Sequence, residues 1–257
     1  MGPSKCKRGI AVNAASANDL KALAPTVGWF YDWGHGLPSA LTASAVAAAR
    51  LEFVPMIWGG DPVVADETAA IPEGASFLLG FNEPNFFSEA NLSAATAAAV
   101  WPKLEAIAEA RSLSLVSPAV NYCGPARACW AGDPFAYLDE FFAACPGCRV
   151  DYVALHWYSC DGPSLQWYLS QGKKYGKPIW LTEFNCPGGN EAAQIAYLKA
   201  ALPILENDPM VFRYSWLMAR STVPSINLLA SDGQLTAIGQ AYVSAPVSAE
   251  CAAERVQ

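Results

Sequence analysis

Eight apolar runs, each followed by a stretch of different character, set the tightest limit on what this chain can fold into. They are Arg8 to Val12, Val27 to Trp33, Phe53 to Trp58, Phe77 to Asn82, Leu115 to Val120, Tyr152 to Tyr158, Ile179 to Phe184 and Phe212 to Leu217. Short apolar runs bounded by turn formers read as strands buried on both faces. Between them lie Ser39 to Arg50, Leu92 to Arg111, Pro134 to Ala144, Ser164 to Tyr175, Glu191 to Leu205 and Ala237 to Val243, all of helix-forming composition, whereas the third connection is short and weak. Asp133-Pro134 and Asn190-Glu191 supply an N-cap followed by a good first helical residue. Regular strand–helix alternation demands a parallel sheet, because each crossover returns the chain to the same end. Eight repeats predict an α/β fold, a (β/α)8 TIM barrel forming one domain over residues 1–257. A doubly wound open sheet is the competitor, and the absence of a glycine-rich phosphate loop after the first run counts against it.

Composition narrows the partners. The chain has 16 Lys and Arg against 23 Asp and Glu, a net charge of −7. That balance disfavours nucleic acid and anionic membranes, which reward clustered cations. Nine Trp, ten Tyr and eleven Phe suit the apolar faces of sugars as well as a core. No apolar stretch reaches the length of a membrane span. Met1-Gly2-Pro3-Ser4 leads directly into the first strand and reads as an expression remnant standing where a signal peptide would be. The sequon Asn91-Leu92-Ser93 would be exposed at a helix start.

Two runs end in an acid. Asn82-Glu83-Pro84 closes the fourth, where Pro84 stops the ladder, and Glu183 closes the seventh. In a closed α/β barrel the carboxyl ends of the strands form the active site, so the two carboxyls can converge. Two facing carboxyls are what glycoside hydrolysis needs: one protonates the leaving oxygen, the other attacks or activates water. In a regular strand Asn82 and Glu83 diverge, so a kink is required for both to reach the mouth. His156 and His35 are the two histidines, which excludes a three-histidine metal site. His156 either lines the site or is a hydrogen-bonded core residue. Trp33 and Trp58, latest in their strands, are the candidates for sugar stacking. Trp29 and Trp157 flank the mouth, and Trp101, Trp130, Trp167 and Trp180 are assigned to packing.

The motifs Phe81-Asn82-Glu83-Pro84-Asn85, His156-Trp157-Tyr158, Trp180-Leu181-Thr182-Glu183-Phe184 and Tyr214-Ser215-Trp216 resemble those of glycoside hydrolase family 128, β-1,3-glucanases in the clan of retaining (β/α)8 glycosidases. The resemblance runs from about Arg8 to Tyr242. It implies that Glu83 is the general acid/base and Glu183 the nucleophile. It further implies that Asn82 binds the 2-hydroxyl of the reacting sugar, that Tyr158 hydrogen-bonds the nucleophile and that Trp216 is the platform beneath the sugar. Many clan members carry an arginine on strand two, and Val27 to Gly34 has none, which leaves open what supports the nucleophile from that side. The expectation is a secreted, monomeric, retaining endo-β-1,3-glucanase that needs no metal or cofactor and acts on β-1,3-glucan polysaccharide or oligosaccharide. Exo action, or hydrolysis of another β-glycan, is the first alternative. A non-catalytic β-1,3-glucan-binding protein is the second, and the presence of both glutamates argues against it.

Eight cysteines in a chain of this kind predict a disulfide framework and an oxidising compartment. On a barrel, Cys160 and Cys186 follow adjacent strands at the catalytic rim, and Cys123 and Cys129 share the loop after strand five. Cys145 and Cys148 share the opposite rim, where Cys6 precedes strand one and Cys251 follows the last helix. The expected pairs are therefore Cys6–Cys251, Cys123–Cys129, Cys145–Cys148 and Cys160–Cys186.

Overall fold

The computed structural model describes residues 3–124 and 128–256; Met1 and Gly2 of the segment read as a remnant lie outside them. The strands are β1 (Arg8–Ala11), β2 (Trp29–Tyr31), β3 (Glu52–Phe53), β4 (Phe77–Leu79), β5 (Ser114–Val120), β6 (Tyr152–Tyr158), β7 (Ile179–Asn185) and β8 (Val211–Leu217). The helices between them are α1 (Ala17–Leu23), α2 (Ala43–Ala49), α3 (Val64–Ala70), α4 (Ala94–Arg111), α5 (Pro134–Ala144), α6 (Gly162–Gly172) and α7 (Glu191–Asn207). After β8 come α8 (Ala237–Ser244) and α9 (Ala249–Val256).

All named strand pairs are parallel, in the order β3-β2-β1-β8-β7-β6-β5-β4. The two ends of that order meet. Leu79 N donates to Pro55 O at 2.9 Å and Ile57 N to Leu79 O at 3.0 Å, which closes the (β/α)8 barrel. Strand β3 is shorter than the run Phe53 to Trp58 because Pro55 has no N–H to give the ladder, so pairing resumes as an isolated bridge at Met56. Helix α3 is short and buries no side chain, in keeping with its weak sequence. The capping signals act as read: Asp133 accepts from Phe135 N, and Asn190 accepts from Ala193 N. Asn91 of the sequon is exposed just ahead of Ser93, the N-cap of α4.

The core has two layers. Outside the barrel, strand side chains such as Ile10, Phe30, Leu78, Leu155, Leu181 and Tyr214 pack against the helices. Inside, Trp29, Tyr31, Met56, Phe77, Leu79 and Trp180 fill the bore. Gly9 makes room for that filling, since a Cβ there would sit 2.2 Å from the Trp29 indole. At the floor Arg213 is buried among Trp29, Phe77, Trp180 and Phe212, its guanidinium 4.6 Å from the Phe77 ring centroid and 2.5 Å from Glu52 Oε2. Burial drags its pKa down, opposed chiefly by Glu52. Ser4, assigned to the remnant, accepts from Arg213 Nη2 through its carbonyl and donates from its hydroxyl to Glu254, so it is tied into this floor.

All four expected disulfides are present: Cys6–Cys251, Cys123–Cys129, Cys145–Cys148 and Cys160–Cys186. The first spans 245 residues and ties the segment before β1 to α9. In the chain-entropy account a loop of that length is worth about 5 kcal/mol. Replacing Cys6 and Cys251 together by Ser is expected to lower Tm by about 10 °C while kcat at room temperature is kept; a calorimetric scan showing an unchanged Tm contradicts this.

Candidate active site

Glu183 reaches the barrel mouth because a bulge at Thr182 takes one residue of β7 out of the pairing with its neighbours. Against β6, Leu155 pairs with Leu181, yet His156 pairs with Glu183, so Thr182 is extra. Strict alternation from Trp180, which points into the bore, would send Glu183 outward. The bulge reverses that: Glu183 turns to the mouth and Phe184 packs outside. Strand β6 needs no such device. Ala154, His156 and Tyr158 share its inner face by simple period two.

Glu183 is buried and surrounded by donors. Oε1 accepts from Trp33 Nε1 at 2.8 Å and from Tyr31 OH at 3.2 Å; Oε2 accepts from Tyr158 OH, with His156 Nδ1 3.4 Å away. Tyr31 and Trp33 lie two residues apart after Trp29, so all three sit on the inner side of β2, from floor to rim. They fill the strand-two position left open by the missing arginine. Two neutral donors replace one cation, supplying hydrogen bonds without adding charge. Trp33 stands edge-on to Tyr31, 5.2 Å between centroids, and takes a left-handed backbone at φ 62°.

The kink expected at Asn82-Glu83 is also present. Asn82 N still bonds Trp58 O and Glu83 N bonds Ala119 O, but Glu83 then adopts φ 40°, a conformation unfavourable for a residue with a Cβ. That turn sends its carboxyl across the mouth. Oε1 meets His156 Nδ1 at 2.8 Å and accepts from Asn121 Nδ2 at 3.2 Å. Asn121 is held in turn by Asn85, which is buried and donates to the carbonyls of Asn121 and Ala131. Carboxylate oxygens of Glu83 and Glu183 and a ring nitrogen of His156 all lie within 4.8 Å of one another. This donor set has the size of a cation site, yet its Nδ1 is already committed to Glu83, so holding an ion there requires breaking that bond.

His156 therefore joins the site and is fully buried. Burial disfavours its charged form, but the Glu183 charge, the bond to Glu83 and further carboxylates outweigh that and raise its pKa. Tyr31 and Tyr158 are pushed well above the usual range by burial and by Glu183, so both stay protonated as donors. Asn82 is buried and donates from Nδ2 to Glu89 Oε2 at 3.3 Å. Glu89 was not singled out in the sequence. Burial and then the charges of Glu83 and Glu183 raise its pKa, against the bond from Asn82 and the pull of His156.

The tryptophans divide differently from expectation. Trp58 is 40% exposed at the end of its run, as a stacking residue must be. Trp216 is fully buried with its indole N–H on Ile226 O and its ring edge-on to Phe184. Tyr214 and Trp216, two apart, both face the helix layer, so period two takes Trp216 away from the mouth and out of the platform role. Trp29, Trp101 and Trp180 pack as buried residues, and Trp157 stacks on Tyr168. Trp130 and Trp167, assigned to packing, are instead 54% and 51% exposed.

Because His156 binds its proton more tightly folded than unfolded, the stability it adds is complete below about pH 6.5 and is lost as pH rises through its raised folded value. The stability margin of the parent over His156→Gln, from urea unfolding, is expected to be larger at pH 5.5 than at pH 9. An equal or larger margin at pH 9 contradicts a His156 pKa raised by the two acids.

Comparison with known proteins agrees with this geometry. The family model described as "Glycosyl hydrolase catalytic core" matches residues 9–242. The crystal structure of a subgroup II endo-β-1,3-glucanase of glycoside hydrolase family 128 from Sorangium cellulosum superposes with a TM-score of 0.88 at 46% identity, covering 95% of this chain and 100% of that one. A subgroup I endo-β-1,3-glucanase from Amycolatopsis mediterranei, in complex with laminaritriose, gives 0.77 at 34% identity over 93% of this chain and 99% of that one. Alkali-sensitive linkage protein 1 of Schizosaccharomyces pombe is 31% identical over 232 residues, 85% of this chain; the chain spans 40% of the length of that protein. With the two glutamates converging at the mouth of such a barrel, the chain belongs to the glycosyl hydrolase catalytic core family, within glycoside hydrolase family 128.

Proposed function

We propose that the protein is an endo-acting β-1,3-glucanase that hydrolyses with retention, Glu183 as nucleophile and Glu83 as general acid/base. One observation carries the mechanism: carboxylate oxygens of the two glutamates lie within 4.8 Å of each other. Retaining glycosidases hold their carboxyls about 5 to 5.5 Å apart, whereas inverting ones need about 6.5 to 9.5 Å to seat a water. The β-1,3-glucan substrate is supported by the endo-β-1,3-glucanases that the chain resembles.

The roles follow from the surroundings of each acid. Glu183 receives hydrogen bonds on both oxygens from Trp33, Tyr31 and Tyr158, which hold it aimed at the mouth. Glu83 is gripped on Oε1 by His156 and Asn121, and among the described residues Oε2 takes no such bond, so Oε2 is the oxygen that addresses the glycosidic oxygen. In the first step Glu183 attacks the anomeric carbon while the Glu83 proton passes to the departing oxygen, breaking the glycosidic bond and leaving a glycosyl ester on Glu183. In the second, Glu83 takes a proton from water as that water attacks the same carbon; the ester bond breaks and Glu183 is restored. Asn82 binds the 2-hydroxyl of the reacting sugar, and Trp58 and Trp33 offer rings to neighbouring sugars. Four disulfides support an oxidising compartment, and we read the enzyme as secreted and monomeric.

Laminarin digested over time and resolved by chain length is expected to give a ladder of intermediate oligosaccharides early. Glucose as the sole early product means exo action, and no release at all means a binding protein. The two acids also separate by variant. Glu183→Gln is expected to abolish turnover of every substrate, by about 10⁴-fold or more. Glu83→Gln keeps activity on an activated aryl β-laminaribioside, and added azide accelerates it by replacing base-activated water. Azide rescue of Glu183→Gln with retained configuration reverses the two roles.

A further inference from the structure

We propose that Glu89 is a positioning residue for the reaction: it fixes the amide of Asn82 in the orientation that meets the 2-hydroxyl of the reacting sugar. This rests on the reading of Asn82 given under the proposed function. The loop after β4 folds back on itself to place Glu89 there. Glu89 N bonds Phe86 O and Ala90 N bonds Asn82 O, each at 3.3 Å, while Leu92 N bonds Pro84 O at 2.9 Å. Gly59 lets this loop close against the end of the third run, since a Cβ on Gly59 would lie 2.7 Å from the Ala90 Cβ. The carboxyl of Glu89 thereby comes to Asn82 Nδ2 at 3.3 Å.

The chemistry of that bond decides which way the amide faces. Glu89 Oε2 accepts from the NH2 side of Asn82; turning the amide over would set Oδ1 against that acceptor oxygen. Asn82 Oδ1 is buried and, among the described residues, has no hydrogen-bond partner, so no other described group selects the orientation. Asn82 itself is buried beside Glu83 in sequence, and its backbone N is pinned to Trp58 O at 2.8 Å. Only the side-chain amide is left to be set, and Glu89 is the group that sets it. Contacts to the 2-hydroxyl strengthen as the ring approaches the transition state, so a misoriented amide costs rate more than binding. A glutamine at position 89 has the same shape but donates as readily as it accepts, and it would let both amide orientations coexist.

The test compares kcat/KM for 4-nitrophenyl β-laminaribioside with that for its analogue deoxygenated at C2 of the aryl-bearing glucose. The ratio of the two is independent of how much of a preparation is folded. In Glu89→Gln that ratio is expected to fall about tenfold, as it does in Asn82→Ala, and the double variant to fall no further than Asn82→Ala alone, because the residues act through one contact. An unchanged ratio in Glu89→Gln beside a lowered ratio in Asn82→Ala overturns the role of Glu89 and leaves the reading of Asn82 intact. A ratio unchanged in both variants overturns that reading as well. A loss of the same factor on both substrates in Glu89→Gln would mean that Glu89 acts elsewhere, and it also overturns the proposal.

Discussion

The site depends on one bulge in one strand. Without the bulge that takes Thr182 out of the pairing, the period of two that puts Trp180 in the bore would carry Glu183 into the helix layer, among Leu181 and Tyr214. With it, a carboxylate is delivered to the mouth opposite His156, and the residues around it follow by ordinary alternation. Trp29, Tyr31 and Trp33 climb the inner side of β2, and Ala154, His156 and Tyr158 climb that of β6. Glu183 is the point where both ladders end, taking donors from each. Burying an acid so completely is costly unless its oxygens are hydrogen-bonded, and the rigid positions of Tyr31, Trp33 and Tyr158 meet that demand with neutral donors.

The second acid is delivered by a different device. Glu83 sits at φ 40°, where a side chain crowds its own backbone, and such a conformation costs on the order of 1–3 kcal/mol. The surroundings that hold it are the bond from Glu83 N to Ala119 O, the His156 and Asn121 contacts, and the loop that returns through Ala90 to Asn82. Pro84 ends the strand at the right place, and Asn85 anchors the next loop by bonding the carbonyls of Asn121 and Ala131. The two acids thus approach by a bulge on one strand and a left-handed residue on another. Local irregularity in an otherwise regular barrel is what brings them together.

Most of the architecture was legible in the sequence because apolar runs and capping residues report locally. The β6 and α5 boundaries, the four disulfide pairs and the positions of Glu83 and Glu183 at strand ends were all readable from run lengths, turn residues and which rim each loop occupies. What was not legible depends on register. The bulge at Thr182 leaves no local mark, since Thr is at home in a strand. Trp216 looked like a rim residue by its position at the end of β8, yet its shared parity with Tyr214 turns it to the helices. Tyr31 was hidden inside an apolar run, although its two-residue spacing to Trp33 could have revealed it. Glu89 had no signal at all: it reaches Asn82 only because a seven-residue turn closes, and loop closure is a tertiary fact. Trp130 and Trp167 are the converse case: large apolar side chains suggest packing, yet both stand exposed.

The two glutamates stand close enough for a double displacement and too close for a single one. Proton NMR of the first product released from an aryl β-laminaribioside, read before mutarotation mixes the anomers, tests it most directly. The β-anomer is expected to form first and to decay toward equilibrium with the α-anomer. An α-anomer at the earliest time would contradict it, because that outcome requires a water between the carboxyls where their separation leaves no room.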